Sequence, residues 1–265
     1  MSTVISADGT TIGYTRTGSG PSLVLVDGAF CYREFGPSKE LAGILSKDFT
    51  VYAYDRRGRG ESDGTRPSTP QREIEDLAAV VKEAGGEAFV LGLSSGAVLG
   101  LEAAANGVPI TRLAMYEAPM IVDDTRDPAP ADFEQRMRGL VEKGNHGAAV
   151  KAFMRFVEMP AFMVAIFPLM PPWKKLKAVA PTLPNDLALF SAGLQSGNPL
   201  PAGRWDAVTA PTLVMGGGKS PTWMKNGVHA TALAIPGAVE EELPGQTHMV
   251  KAAVLAPAVT AFFKK

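Results

Sequence analysis

The sequence predicts an α/β protein, a mostly parallel sheet with helices on both faces, and three observations carry that expectation. Short apolar runs rich in Val, Leu and Tyr alternate with helical segments along most of the chain. Several of these runs are continuously apolar, as in Leu23-Val24-Leu25-Val26, which is the pattern of strands buried on both faces. The third is length, since 265 residues suit one α/β unit carrying an insertion.

The elements follow in order. Thr3 to Ala7 and Thr11 to Tyr14 read as a hairpin about Asp8-Gly9, and a Gly/Ser/Pro break leads into the buried strand at Leu23. Phe49 to Tyr54 is the next strand. Thr69-Pro70, a cap followed by proline at the first helical position, opens a periodic segment with Ile74, Leu77, Val80 and Val81. Ala88 to Leu91 is a strand, Ser95 to Ala105 a helix of small residues, and Leu113 to Tyr116 a further strand. After a long interval the alternation returns with the strand Thr212 to Met215, a helix around Trp223 to Leu233, the strand Val239 to Leu243 and a final helix from Lys251 to Phe263.

The interval itself defines the domain organisation. Residues 121–205 show no such strands and hold 5 of the 11 Met and 6 of the 12 Phe, so they read as a helical, apolar cap inserted into a core made of residues 1–120 and 206–265. Between Ala152 and Met170, 15 of 19 residues are apolar. Part of that surface must face the ends of the strands, which favours a substrate with a hydrophobic acyl or alcohol part.

Composition excludes several function classes. With 26 Lys+Arg against 27 Asp+Glu and no long block of like charge, the chain lacks an electrostatic footprint for nucleic acid or anionic membrane. The apolar stretch Ala161 to Met170 is interrupted by Pro168 and is far shorter than the roughly 20 residues of a membrane span. One cysteine, Cys31, can close no internal disulfide and build no Cys-based zinc site; with an N-terminus that lacks the pattern of a signal peptide, this points to the cytoplasm.

The chemistry centres on Gly92-Leu93-Ser94-Ser95-Gly96, a G-x-S-x-G pattern placed where a buried strand ends and an Ala-rich helix begins. In that context a serine occupies a strained turn and the glycines allow close packing, which makes Ser94 the candidate nucleophile and the Ser95 amide a candidate oxyanion donor. Cys31 has no basic neighbour and no such turn, and reads as a small buried hydrophobe.

With these residues in view, the chain resembles the α/β-hydrolase family over nearly its whole length. Asp55-Arg56-Arg57-Gly58-Arg59-Gly60-Glu61-Ser62 is similar to that family's D-x-R-G-x-G-x-S turn, and the order of hairpin, elbow, cap and late histidine matches. The resemblance implies an eight-stranded sheet, a structural role for the arginine turn near the site mouth, and a catalytic histidine at His248, in the loop before the last helix. His146 and His229 read as solvated.

The acid departs from the commonest family pattern. Most relatives carry an aspartate after the strand Thr212 to Met215, where this chain reads Gly216-Gly217-Gly218-Lys219-Ser220. Glu117, at the carboxyl end of the preceding strand and about 4.8 Å from its neighbour strand, is the candidate, with Asp123 and Asp124 in reserve. Relatives often carry His-Gly at the oxyanion loop; here Asp27-Gly28-Ala29-Phe30 stands there. Because a backbone N–H does the work, Ala29 is the expected donor, with Gly28 or Phe30 as alternatives.

The expectation is therefore a serine hydrolase of a small to medium apolar ester or lactone, with Ser94, His248 and Glu117 as triad and no metal or cofactor. A dedicated lactonase, a cofactor-free perhydrolase and a ligand-sensing receptor of the same fold are the alternatives.

Overall fold

A computed structural model describes residues 2–64, 68–191 and 193–265. Eight strands form one sheet: β1 (Ser2–Ile5), β2 (Thr11–Thr17), β3 (Ser22–Val26), β4 (Thr50–Tyr54), β5 (Ala88–Leu93), β6 (Ile110–Tyr116), β7 (Thr212–Gly217) and β8 (Val239–Leu243). Their spatial order is β1-β2-β4-β3-β5-β6-β7-β8. β2 runs antiparallel to both of its neighbours, and the pairings from β4 through β8 are parallel. The α/β-hydrolase fold and the eight-stranded sheet are thus as the sequence led one to expect.

The two-residue period of the strands splits the core into two layers. From β3, Leu23 and Leu25 pack with Val51 and Ala53 of β4 against α1 (Ser38–Leu45) and α10 (Ala252–Phe263). Val24, Val26, Tyr52 and Tyr54 face the other way, against α2 (Pro70–Glu83), α3 (Ser95–Ala105) and α9 (Thr222–Ala234). Continuous apolar runs are therefore required, because each successive side chain enters a different core. Thr69 caps α2 as its sequence suggests, its hydroxyl accepting from the Arg72 amide. α1 lacks that kind of signal: Pro37 precedes it and no side chain caps it. β8 is one of the two edge strands, and Glu240, Glu241 and Glu242 on it are exposed, which discourages pairing with another chain.

Among the described residues five α-helices lie between β6 and β7: α4 (Phe133–Glu142), α5 (His146–Phe156), α6 (Ala161–Ile166), α7 (Trp173–Val179) and α8 (Leu183–Ala188). They carry their own apolar cluster, built on Phe133, Met137, Val150, Met154, Val164, Leu176 and Leu183. Ala29, Phe30 and Phe35, from the loop after β3, pack against it. The apolar stripe at 152–170 is only partly core, since Phe162, Ile166 and Leu169 are exposed. Among the described residues no helix is long and apolar enough to cross a membrane.

Candidate active site

Ser94 is the single residue between β5 and α3, at φ +54° and ψ −122°, a conformation that side-chain-bearing residues rarely adopt. Its amide donates to the Tyr116 carbonyl at 2.9 Å, and its carbonyl accepts from the Ala97 amide at 3.0 Å, which starts the helix. Gly96 makes the turn feasible. A Cβ there would stand 2.2 Å from the Val26 carbonyl oxygen, so only glycine lets α3 approach the end of β3 so closely.

Glu117 follows directly on β6, also at positive φ (+44°), and its amide donates to the Met215 carbonyl of β7 at 3.0 Å. Its side chain is fully buried. Oε1 accepts from the Gly217 amide at 2.7 Å and from the Ser220 hydroxyl, while Oε2 lies 2.9 Å from Nδ1 of His248. The glycine-rich turn that has no acid of its own thus supplies the donors that hold this one.

His248 lies in the loop between β8 and α10, with its side chain 41% exposed. The Tyr116 hydroxyl donates to the Thr247 carbonyl at 2.6 Å and tethers that loop. Burial, then the nearby Glu117 charge, pushes the Tyr116 phenol well above its usual pKa and keeps it a donor. Ser94, Glu117 and His248 are consequently drawn to the ends of β5, β6 and β8, with Tyr116 touching the segments that carry all three. Among the described residues no hydrogen bond yet joins Ser94 Oγ to the ring of His248; such bonds commonly tighten only with substrate in place.

The reserve acids lie elsewhere. Asp123 accepts from Asn226 at 2.6 Å and from Thr125, and Asp124 is exposed. His229 is exposed and pairs with Glu240 at 2.8 Å. His146 opens α5 in the helical insertion and is half-buried, where the sequence suggested a solvated ring. Cys31 is also half-buried, and desolvation pushes its thiol up to about 12, which leaves it without thiolate reactivity.

The loop after β3 approaches Ser94 from the other side. A Cβ on Gly28 would stand 2.9 Å from Cβ of Ser94. Neither the Ala29 nor the Ser95 amide donates to a protein acceptor among the described residues, which leaves both free for a ligand oxygen. Phe30 holds φ +64° and sets its ring edge-on to Phe153 of α5, centroids 5.1 Å apart. Of the four non-glycine residues at positive φ among the described residues, Phe30, Ser94 and Glu117 are all here, so backbone strain is concentrated at this site.

A family model described as the alpha/beta hydrolase family matches residues 18–261. The chain belongs to the alpha/beta hydrolase family. It is similar to an alpha/beta hydrolase from Sphaerobacter thermophilus DSM 20745 whose crystal structure superposes with a TM-score of 0.90, at 46% identity over 99% of this chain and 100% of that one. The enol-lactonase from Burkholderia xenovorans LB400 shares the fold at a TM-score of 0.72 and 20% identity, covering 99% of this chain and 100% of that one. An uncharacterized hydrolase of Bacillus subtilis (strain 168), YraK, is 29% identical over 160 residues, a match spanning 58% of this chain and 57% of that protein.

The alpha/beta hydrolase turn at 55–62 holds what sequence reasoning did not find. Arg56, Arg57 and Arg59 are all buried. Arg57 forks onto Asp76 at 2.7 Å through both Nε and Nη2. Arg56 forks onto Glu73 at 2.9 and 2.7 Å and also reaches Asp186 of α8 at 2.7 Å; Arg59 reaches the other oxygen of Asp186 at 2.6 Å. Burial works to raise the Asp186 carboxyl, but the charges of Arg59 and Arg56 and the Ser95 hydroxyl outweigh it and hold it below the usual carboxylate range. A signal existed: Glu73 and Asp76 are three apart, one face of α2, and three cations in one turn at a buried strand end need such acids.

Proposed function

We propose that the chain is a serine hydrolase that cleaves a carboxylic ester or lactone of a small to medium apolar molecule through an acyl-enzyme on Ser94. The observation that carries this reading is the 2.9 Å contact between Glu117 Oε2 and His248 Nδ1, next to a serine at the strained tip of a strand-to-helix elbow. A carboxylate facing Nδ1 places the proton there and leaves Nε2 as the free base.

In this mechanism Ser94 Oγ attacks the substrate carbonyl carbon while its proton passes to His248 Nε2. The oxyanion is received by the amides of Ser95 and Ala29. Collapse breaks the ester C–O bond, and the proton on His248 goes to the leaving alkoxide. Water then attacks the acyl-enzyme, giving its proton to His248, and the acid departs as Ser94 regains a hydrogen. Glu117 Oε2 accepts from Nδ1 and stabilises the imidazolium. The apolar cluster of the insertion, which meets the site through Ala29, Phe30 and Phe153, supports an apolar acyl or alcohol part and a cap role for residues 121–205.

The test is a panel of chromogenic esters and lactones of graded chain length, run on wild type and Ser94→Ala. Ser94→Ala is expected to fold, to lose about 10⁴-fold or more in turnover, and to take no fluorophosphonate adduct where the wild type takes one. A mutant that still labels and still turns over ester would sink the assignment.

A further inference from the structure

The buried cluster around Asp186 touches no group that reacts, yet it contacts both segments that carry the proposed oxyanion donors. A peptide unit is a rigid plane whose C=O and N–H point in opposite directions, so whatever fixes a carbonyl also aims the N–H of the next residue. The Gly28 carbonyl accepts from Arg59 Nη1 at 2.7 Å and from the Cys31 amide at 3.3 Å. The N–H of that same peptide belongs to Ala29. One peptide earlier, the Asp27 carbonyl accepts from Arg56 Nη1 at 3.2 Å.

On the other side of the hole, the Ser95 hydroxyl donates to Asp186 Oδ1 at 2.7 Å and accepts from Arg56 Nη1 at 3.1 Å. Asp186 Oδ2 in turn receives Arg59 Nη2, and Arg59 Nε donates to Thr182 Oγ1 at 3.0 Å. Thr182 and Asp186 both come from the helical insertion, and all of these side chains are buried. The two arginines are paired with Glu73 and Asp186, which keeps these ions in place without solvent.

We propose that Asp186 is a positioning residue: reaching down from the insertion, it locks the Gly28–Ala29 and Ser94–Ser95 peptides through Arg59 and through the Ser95 hydroxyl, so the oxyanion hole is complete only with the insertion docked. The inference rests on the serine-hydrolase reading above. It also explains why residue 95 carries a hydroxyl although its proposed chemical contribution is a backbone N–H. Preorganised donors are worth most when they need no rearrangement as charge develops, and losing one costs about 10²- to 10³-fold in kcat. Loosening two without removing either should cost less.

The experiment compares wild type, Asp186→Asn and Ser95→Ala, with concentrations set by fluorophosphonate titration run to completion so that only competent Ser94 is counted. Each is assayed for kcat and KM on a chromogenic ester, and for inhibition by a trifluoromethyl ketone, which forms a tetrahedral adduct with an oxyanion, and by its methyl ketone counterpart, which is not activated for that addition. Asp186→Asn is expected to lower kcat per titrated site by about 10- to 100-fold and Ser95→Ala by several-fold, with KM within about threefold. Trifluoromethyl ketone affinity should fall in step with kcat/KM while methyl ketone affinity holds. Unchanged kcat per site, or equal losses for both ketones, overturns the proposal and leaves the serine-hydrolase reading standing. If Asp186→Asn does not fold, Ser95→Ala decides by the same ratio. A wild type that takes no adduct at Ser94 overturns both readings, and so is told apart from failure of this one alone.

Discussion

Glu117 and His248 are 131 residues apart in the chain and 2.9 Å apart in space, and the two carboxylate oxygens of Glu117 divide their work. Oε2 meets the imidazole, while Oε1 is taken by the Gly217 amide and the Ser220 hydroxyl. The turn after β7 and the acid after β6 are therefore complementary: one strand end supplies the charge and its neighbour supplies the donors that aim it.

That division predicts the effect of Glu117→Gln. The amide oxygen can keep the two donors at Gly217 and Ser220, which leaves its NH₂ group facing Nδ1 of His248. An NH₂ there must donate, so the imidazole proton moves to Nε2 and the free base is lost. Loss of the corresponding charge in a serine protease costs about 10⁴ in kcat, and a loss of at least about 10²-fold in ester turnover is expected here, with little change in melting temperature. Asp123→Asn, whose carboxylate is engaged with Asn226 and Thr125, should cost less than about tenfold. Equal losses from the two substitutions would remove Glu117 from the proposed triad.

Gly28→Ala tests the contact between the loop after β3 and Ser94, the proposed nucleophile. The new methyl carbon would lie 2.9 Å from Ser94 Cβ and 3.0 Å from the Leu93 carbonyl oxygen, and neither belongs to the far end of a flexible side chain. Either the loop or the elbow must shift. A displacement of even about 1 Å is enough to cost on the order of 10²-fold in rate. The variant should therefore retain its fold by circular dichroism and lose kcat, with a smaller change in KM. Wild-type kcat would mean that this loop does not contribute to the site.

How much of this was legible in the sequence depends on whether the controlling interaction was local. The strand runs at Leu23, Phe49 and Ala88 and the capped start of α2 announced themselves, because burial on both faces and a Thr-Pro cap leave marks within a few residues. Ser94 was legible for the same reason. Glu117 could be reached only by elimination, through the missing acid in the Gly216 to Ser220 turn. α1 has no side-chain cap, and its boundaries are set by packing of Leu41 and Leu45 against α10. The pairing of Arg56 and Arg59 with Asp186 was out of reach, because Asp186 lies 130 and 127 residues away and nothing near it in the sequence points back. The positive φ of Phe30 and Glu117 is equally silent, since it is imposed by the loop and strand ends that meet there.

The same cluster sets the behaviour of Asp27, the residue that stands where many relatives carry histidine. Asp27 is buried, its Oδ1 has no hydrogen-bond partner among the described residues, and the two nearby arginines are already matched by Glu73 and Asp186. Burial accordingly raises its carboxyl from 3.8 to about 6, with Ser38, Arg59 and Arg56 only partly offsetting that rise. A carboxyl that is harder to ionise in the folded chain than in the unfolded one favours folding when protonated. That contribution is full below about pH 4 and is lost as pH rises through 6. At pH 8 the ionised group therefore costs stability, on the order of 3 kcal/mol for a rise of about two pKa units. Asp27→Asn is neutral at every pH and keeps nearly the same shape. Its melting temperature should exceed that of the wild type by several degrees at pH 8, and the gap should close as pH falls toward 4.5. The difference between the two proteins isolates Asp27, because every other titrating group is common to both. If the variant instead melts lower than the wild type at pH 8, the charges of Arg59 and Arg56 stabilise the Asp27 carboxylate by more than burial penalises it, and the upward shift is overturned.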